Sequence, residues 1–288
     1  MKLSTIFLVG LWLCALRTFG WQDDVAVLLS DEVPNFARHP GLGYLSGASA
    51  EVRLGRYLVG EENFGWRGGV GGDVSLLSFG EKLVWHMGLN METLADDQND
   101  INFRLVQVYY QALTGVKWRL DDGVLYFGYR HRCSHGTDNA EVGRITIRSG
   151  LTTSYQWTLN RGRFRLDLKP GINVYLLGQN HDKAAQPKGG AFVSAQALWP
   201  IRGPVFAVMG AGLNLELVGS SQRAVYAISD GWNSLRLEPL FASRVAIRLD
   251  NQKLKCDFAL HFAQNLDSGI KPLARRTSNL SFDVDFMW

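Results

Sequence analysis

Long segments of this chain alternate apolar and polar side chains one for one. A period of two is the signature of a strand with two unlike faces. Leu83, Trp85, Met87, Leu89 and Met91 alternate with Val84, His86, Gly88 and Asn90. Phe164, Leu166, Leu168, Ile172 and Val174 alternate with Arg163, Arg165, Asp167, Lys169 and Asn173. The same reading holds for Ile145, Ile147, Leu151, Tyr155 and Trp157 against Arg144, Thr146, Arg148, Thr152 and Gln156. It holds again for Leu254, Cys256, Phe258, Leu260 and Phe262 against Lys253, Lys255, Asp257, Ala259 and His261.

Strands of this kind begin near Leu45, Gly65, Lys82, Asn102, Gly123, Val142, Gly162, Gly190, Val205, Leu235, Lys253 and Asn279. Most run ten residues or longer, enough for a tilted strand to cross a bilayer, which takes about 9–11 residues. Short turns, such as Asp121-Asp122-Gly123 and Asn160-Arg161-Gly162, follow the even strands. Longer connections follow the odd ones, among them 178–188, 219–233 and 266–277. An even strand number with short turns at one end and long loops at the other predicts an all-β fold. That fold is an antiparallel up-and-down transmembrane barrel of about twelve strands over residues 44–288.

The two faces differ in chemistry. The apolar set carries Trp85, Trp118, Phe127, Tyr129, Tyr155, Trp157, Trp199 and Trp288, many near strand ends, as an interfacial aromatic girdle requires. The polar set carries Arg53, Arg67, Arg130, Arg144, Arg148, Arg165, Asp167, Arg244, Arg248, Asp257, Asp283 and Asp285, with Asp73 and Lys169 beside them. Such charges are prohibitive against lipid tails. They are expected to fill the lumen as a network of paired arginines and carboxylates.

Beyond residue 20 no apolar run approaches the roughly 20 residues that a spanning helix needs, so any membrane passage must use strands. Residues 1–20 read as a signal peptide: Lys2, the apolar Ile6 to Leu16, then Thr18-Phe19-Gly20 as a small-x-small cleavage site. Leu13 before Cys14 argues against lipidation. Residues 21–43, with four acidic side chains and Pro34, read as a periplasmic or lumen-inserted lead-in. The formal charge is +3, of which Lys2 and Arg17 in the leader contribute two, leaving +1. A balance so near neutral gives no support for nucleic-acid binding. Cys133 and Cys256 fall on distant strands and are expected as free thiols. The sequence calls for no cofactor.

The last strand places Leu280, Phe282, Val284, Phe286 and the terminal Trp288 on one face. This ending resembles the terminal signal by which outer-membrane barrels are recognised by the assembly machinery. It implies a bacterial outer-membrane address, with lipid as the surrounding partner. A soluble secreted β-protein is the competing fold. An edge strand this apolar would then be an aggregation hazard.

One stretch is chemically richer: Tyr129-Arg130-His131-Arg132-Cys133-Ser134-His135-Gly136-Thr137-Asp138-Asn139. A histidine, a hydroxyl and a carboxylate within eight residues are the parts of a nucleophilic hydrolase site. On parity, His131 and Cys133 share the face of Phe127 and Tyr129, while Ser134 points the other way unless a bulge intervenes. A metal held by His131, His135 and Asp138 is not expected, because positions four apart on a strand are about 13 Å from one another.

The stretch resembles the H-x-S-S-H-x-G-D-E signature of a family of bacterial outer-membrane proteins with no secure activity. His131, Ser134, His135 and Asp138 match; Cys133 replaces the first serine, the glycine falls earlier at Gly136, and Asn139 stands for glutamate. The likeness covers about Gly65 to Gly269 and implies a barrel. Tyr129-x-His131 is also similar to the Y-x-H-x-S of the outer-membrane phospholipase A family and to the H-x-S of lipid A deacylases, with Cys133 in the serine's place. Two functions stand open. One is a non-enzymatic barrel, structural or passing a small, anionic solute through an Arg-rich lumen. The other is a lipid acyl hydrolase using His131 and Ser134, supported by His135 and Asp138.

Overall fold

In the computed structural model the described residues are 42–59, 65–96, 104–136, 145–179, 186–219, 233–250, 254–267 and 275–288. They form twelve strands: β1 (Leu42–Val59), β2 (Trp66–Phe79), β3 (Leu83–Asp96), β4 (Arg104–Arg119), β5 (Gly123–Gly136) and β6 (Ile145–Arg161) come first. β7 (Phe164–Gln179), β8 (Gln186–Arg202), β9 (Val205–Gly219), β10 (Asn233–Asp250), β11 (Lys255–Asp267) and β12 (Arg275–Met287) complete the set. Each strand pairs antiparallel with its sequence neighbours, and β1 pairs with β12 to close the barrel. The expected all-β, closed twelve-strand architecture is the observed one. Residues 1–41, with the expected leader and most of the lead-in, lie outside the described residues.

The strands run from 13 to 18 residues, longer than the alternation alone indicates. β8 and β12 begin at Gln186 and Arg275, four residues ahead of the expected starts at Gly190 and Asn279. Gln186-Pro187-Lys188-Gly189 and Arg275-Arg276-Thr277-Ser278 carry no apolar member on either parity. Hydrogen bonding between neighbours extends the ladder there, where the hydrophobic pattern is silent.

The short turns close one rim. Gly80, Gly162 and Gly203 adopt φ of 59°, 60° and 54°, the left-handed region that a side chain disfavours. In the turn between β4 and β5 the Tyr155 hydroxyl donates to Asp122. That bond holds the exposed Asp122 carboxyl below the usual carboxylate range.

Alternation divides the side chains as the sequence predicts. Trp85, Leu89, Phe127, Trp157, Leu159, Ile172, Trp199, Leu249 and Leu260 stand exposed on the outer wall. Val84, His86, Arg148, Asp167, Asp257, Asp283 and Asp285 are buried inside. The usual order of a water-soluble core is inverted: large apolar groups lie outside and charged groups within. That inversion is the pattern of a barrel set in an apolar medium.

Candidate functional site

A cluster of buried ion pairs spans the closing seam, where β10, β11, β12, β1 and β2 lie side by side. Register builds it. Arg248 stands opposite Asp257, Asp257 opposite Asp285, and Asp285 opposite Arg53. Two facing aspartates would repel. Arg244 bridges them, 3.1 Å from Asp257 and 2.5 Å from Asp285. The contact to Asp285 is an ion pair without the alignment of a hydrogen bond. Arg248 grips Asp257 with a two-pronged bond, Nε to Oδ1 at 2.8 Å and Nη2 to Oδ2 at 2.9 Å. Arg53 Nε donates to Asp285 at 3.1 Å.

One row along, Arg67 of β2 reaches across β1 to Asp283 of β12 at 3.2 Å. The residue between them is Gly55, opposite Arg67 on one side and Asp283 on the other. A Cβ there would run into Asp283 Oδ1 and lie 3.0 Å from Arg67 Cγ, so only glycine leaves the pair its path. His261 completes the row, with Nδ1 3.2 Å from Asp283. Asp283 is 0%, Asp285 1% and Asp257 1% exposed.

Further round the interior, from β2 to β9, charges pair more loosely. Asp73 meets His86 Nδ1 at 2.6 Å and Lys117 Nζ at 3.4 Å, and Tyr126 lies edge-on to His86 at 5.3 Å. Arg165 lies 2.9 Å from Asp167, which also accepts from Thr158 at 2.5 Å. Arg148 of β6 binds Glu216 of β9 through Nε at 2.7 Å and Nη2 at 3.2 Å. Arg130 donates to Gln111 at 2.9 Å.

The chemically rich stretch is divided between the two faces. Arg130, Arg132 and Ser134 follow the inward parity of β5, and His131, Cys133 and His135 the outward one. Ser134 and Cys133 are both buried within the wall. His131 therefore meets a hydroxyl other than that of Ser134. Its Nδ1 lies 2.5 Å from Ser149 Oγ, contributed by the neighbouring strand, where Ser149 stands directly opposite His131. On its other side His131 faces Ala112. His135 packs edge-on against Tyr110 at 5.9 Å. Asp138 and Arg144 lie outside the described residues.

Sequence reasoning missed Ser149 and Glu216. Ser149 carried a signal, since it is the one polar residue on the apolar parity between Ile147 and Leu151. Beside it the register shifts between Ser149 and Gly150, where β7 passes from Leu177 to Tyr175. Such a bulge re-aims neighbouring side chains. Among the described residues no group of three or more His, Cys, Asp or Glu converges as a metal site. Cys133 and Cys256 are free thiols.

No family model matches this chain, and no curated protein matches it by sequence. Similar folds occur among solved structures. Outer membrane phospholipase A from Escherichia coli is similar at 10% identity and a TM-score of 0.47, over 83% of this chain and 91% of that one. An outer-membrane channel from Pseudomonas putida F1 is similar at 11% identity and a TM-score of 0.46, over 89% of this chain and 98% of that one. The translocator domain of the autotransporter NalP from Neisseria meningitidis is similar at 11% identity and a TM-score of 0.40, over 99% and 97%.

Proposed function

We propose that the chain is an outer-membrane barrel whose lumen is sealed by ion pairs, a non-enzymatic structural barrel through which solutes do not flow freely. One observation carries this reading: Arg53, Arg67 and Arg244 are buried with Asp257, Asp283 and Asp285, and these, with the half-buried Arg248, are mutually paired. Arginines lining an open pore draw anions through it. Here these arginines are spent on carboxylates of the same chain. The apolar outer wall supports a membrane setting with lipid as the direct partner. The apolar parity of β12 supports its recognition by the barrel-assembly machinery.

Reconstituted in a planar bilayer, the wild-type barrel is expected to give no steady open-channel steps. Removing Arg244, Arg248 and Asp257 together, all to Ala, is expected to produce them, because the three side chains bridge adjacent strands across the seam. Steady ion flow through the wild-type protein contradicts the reading.

A second reading rests on the His131–Ser149 contact, which lies on the outward parity of β5 and β6 with the Ser149 hydroxyl buried in the wall. A histidine base bonded to a serine hydroxyl is the core of an acyl hydrolase. Ser149 Oγ would attack an ester carbonyl as His131 accepts its proton and returns it to the departing alcohol; water, giving its proton to His131, would then attack the acyl-serine and release the fatty acid as the proton returns to Ser149 Oγ. The register neighbours of His131 are Ala112 and Ser149, neither a carboxylate to orient the ring, so this reading ranks second. It expects fatty acid release from phospholipid vesicles, lost in Ser149→Ala and His131→Ala and kept in Ser134→Ala. Equal release by all four proteins removes it.

A further inference from the structure

Charge is not spread evenly along the short-turn rim. The β2–β3 turn holds one acid and one base, Glu81 and Lys82, and the β4–β5 turn holds Asp121 and Asp122, all four exposed. The next two turns are basic. Arg161 ends β6, Gly162 at φ 60° reverses the chain, and Arg163 leads into β7. Arg202 ends β8, and Gly203 at φ 54° reverses the chain towards β9. All three arginines are exposed. Residues 159–166 and 198–206 contain no Asp or Glu. The carboxylate nearest to them in sequence, Asp167, is buried inside the barrel and held by Arg165 and Thr158.

Register sets the two basic turns side by side. β7 pairs with β8, Arg165 opposite Leu198, so the β6–β7 and β8–β9 hairpins share one stretch of wall. That wall is apolar on its outer side down to the rim. Trp157, Leu159 and Phe164 stand exposed next to the first turn, Trp199 and Ile201 next to the second. Tryptophans on an outer wall mark the level of the lipid headgroups. An arginine a few positions beyond them lays its stem along the apolar wall and puts its guanidinium among the phosphates. Three guanidiniums are thereby set at headgroup depth on one arc of the barrel.

We propose that Arg161, Arg163 and Arg202, with Trp157 and Trp199 beside them, form a docking surface for anionic phospholipid headgroups in the leaflet at the short-turn rim. Guanidinium forks match the paired oxygens of a phosphodiester, and the acyl chains lie against the indoles and Ile201. A zwitterionic headgroup brings the same phosphate with an ammonium group that three arginines repel, so net charge sets the preference. Each basic side chain near an anionic surface favours binding by roughly fivefold. The site rests on the membrane setting of the barrel and is independent of whether the lumen is sealed.

The test folds the full chain, with Cys133 and Cys256 changed to Ser and a bimane on Ile201→Cys, into phosphatidylcholine vesicles. A minor share of the lipid is then a brominated quencher, either phosphatidylglycerol or phosphatidylcholine. At low salt, phosphatidylglycerol is expected to associate at the label roughly fivefold or more strongly than phosphatidylcholine. Changing Arg161, Arg163 and Arg202 together to Gln is expected to bring the ratio to about one. A bimane on Leu42→Cys, which lies on the same rim opposite Phe79 and close to Glu81 and Lys82, is expected to show no preference. High salt is expected to abolish the preference at 201 in the otherwise unchanged chain, which needs no arginine variant to fold. Equal association of the two lipids at 201 overturns the proposal. So does a preference that the glutamine triple keeps, that high salt leaves intact, or that 42 shares. A chain that does not fold into the vesicles contradicts the membrane setting, and the docking surface falls with it. A folded chain without the preference removes the docking surface alone.

Discussion

Asp283→Ala is expected to lower the unfolding free energy by about 3–5 kcal/mol, the range for removing one partner of a buried pair. The carboxylate is fully buried and serves Arg67 and His261 together. Its loss strands the Arg67 guanidinium, itself only 7% exposed. The destabilisation comes from that stranded charge more than from the lost attraction. Replacing Arg67 by Met and Asp283 by Leu together is therefore expected to cost clearly less than Asp283→Ala alone. An exposed pair would show only about 0–1 kcal/mol. Urea titration of the barrel folded into lipid vesicles, followed by the shift of folded and unfolded bands on unheated gels, measures the difference.

Leu260→Arg is expected to cost about 2–4 kcal/mol, the penalty for a cation on the outer wall near the bilayer midplane. Leu260 is 52% exposed and sits midway along β11, between Phe258 and Phe262 on the same face. In a water-soluble protein the same change at a half-exposed leucine would be close to neutral. Leu42, also 52% exposed, pairs with Phe79 beside the short turn that ends β2. There an arginine reaches the interface, and the expected cost falls to about 0–1 kcal/mol. The gradient between the two positions separates a membrane barrel from a soluble one, which has no depth to sense.

How much of this was legible follows from what a period of two encodes. The alternation of Leu83 to Met91 or Phe164 to Val174 fixes which side chains share a face. In a closed antiparallel barrel the face is nearly the whole of the fold. What the alternation does not encode is which inward charge meets which. Arg53 and Asp285 are 232 residues apart and become neighbours only because β1 closes on β12. The Arg148–Glu216 bond joins β6 to β9 past two intervening strands. No local pattern reports it. Gly55 illustrates the same limit: its lack of a Cβ matters only once Arg67 and Asp283 flank it. The candidate site divides similarly. The parity of His131 against Ser134 is readable within one strand, whereas the partner Ser149 arrives through the β5–β6 register. A lone serine among Ile147 and Leu151 is the trace it leaves in the sequence.

The central claim is the inversion itself, tails against one face and ion pairs behind the other. Nitroxide labels placed singly at positions 245, 246, 247, 258, 259 and 260 of the vesicle-folded barrel, with Cys133 and Cys256 changed to Ser, test it most directly. Collision rates with oxygen, which concentrates in lipid, are predicted to be high at 245, 247, 258 and 260 and low at 246 and 259. Collisions with a water-soluble nickel chelate are predicted to stay low at all four outward positions. Rates that do not alternate, or that peak at 246 and 259, would contradict it.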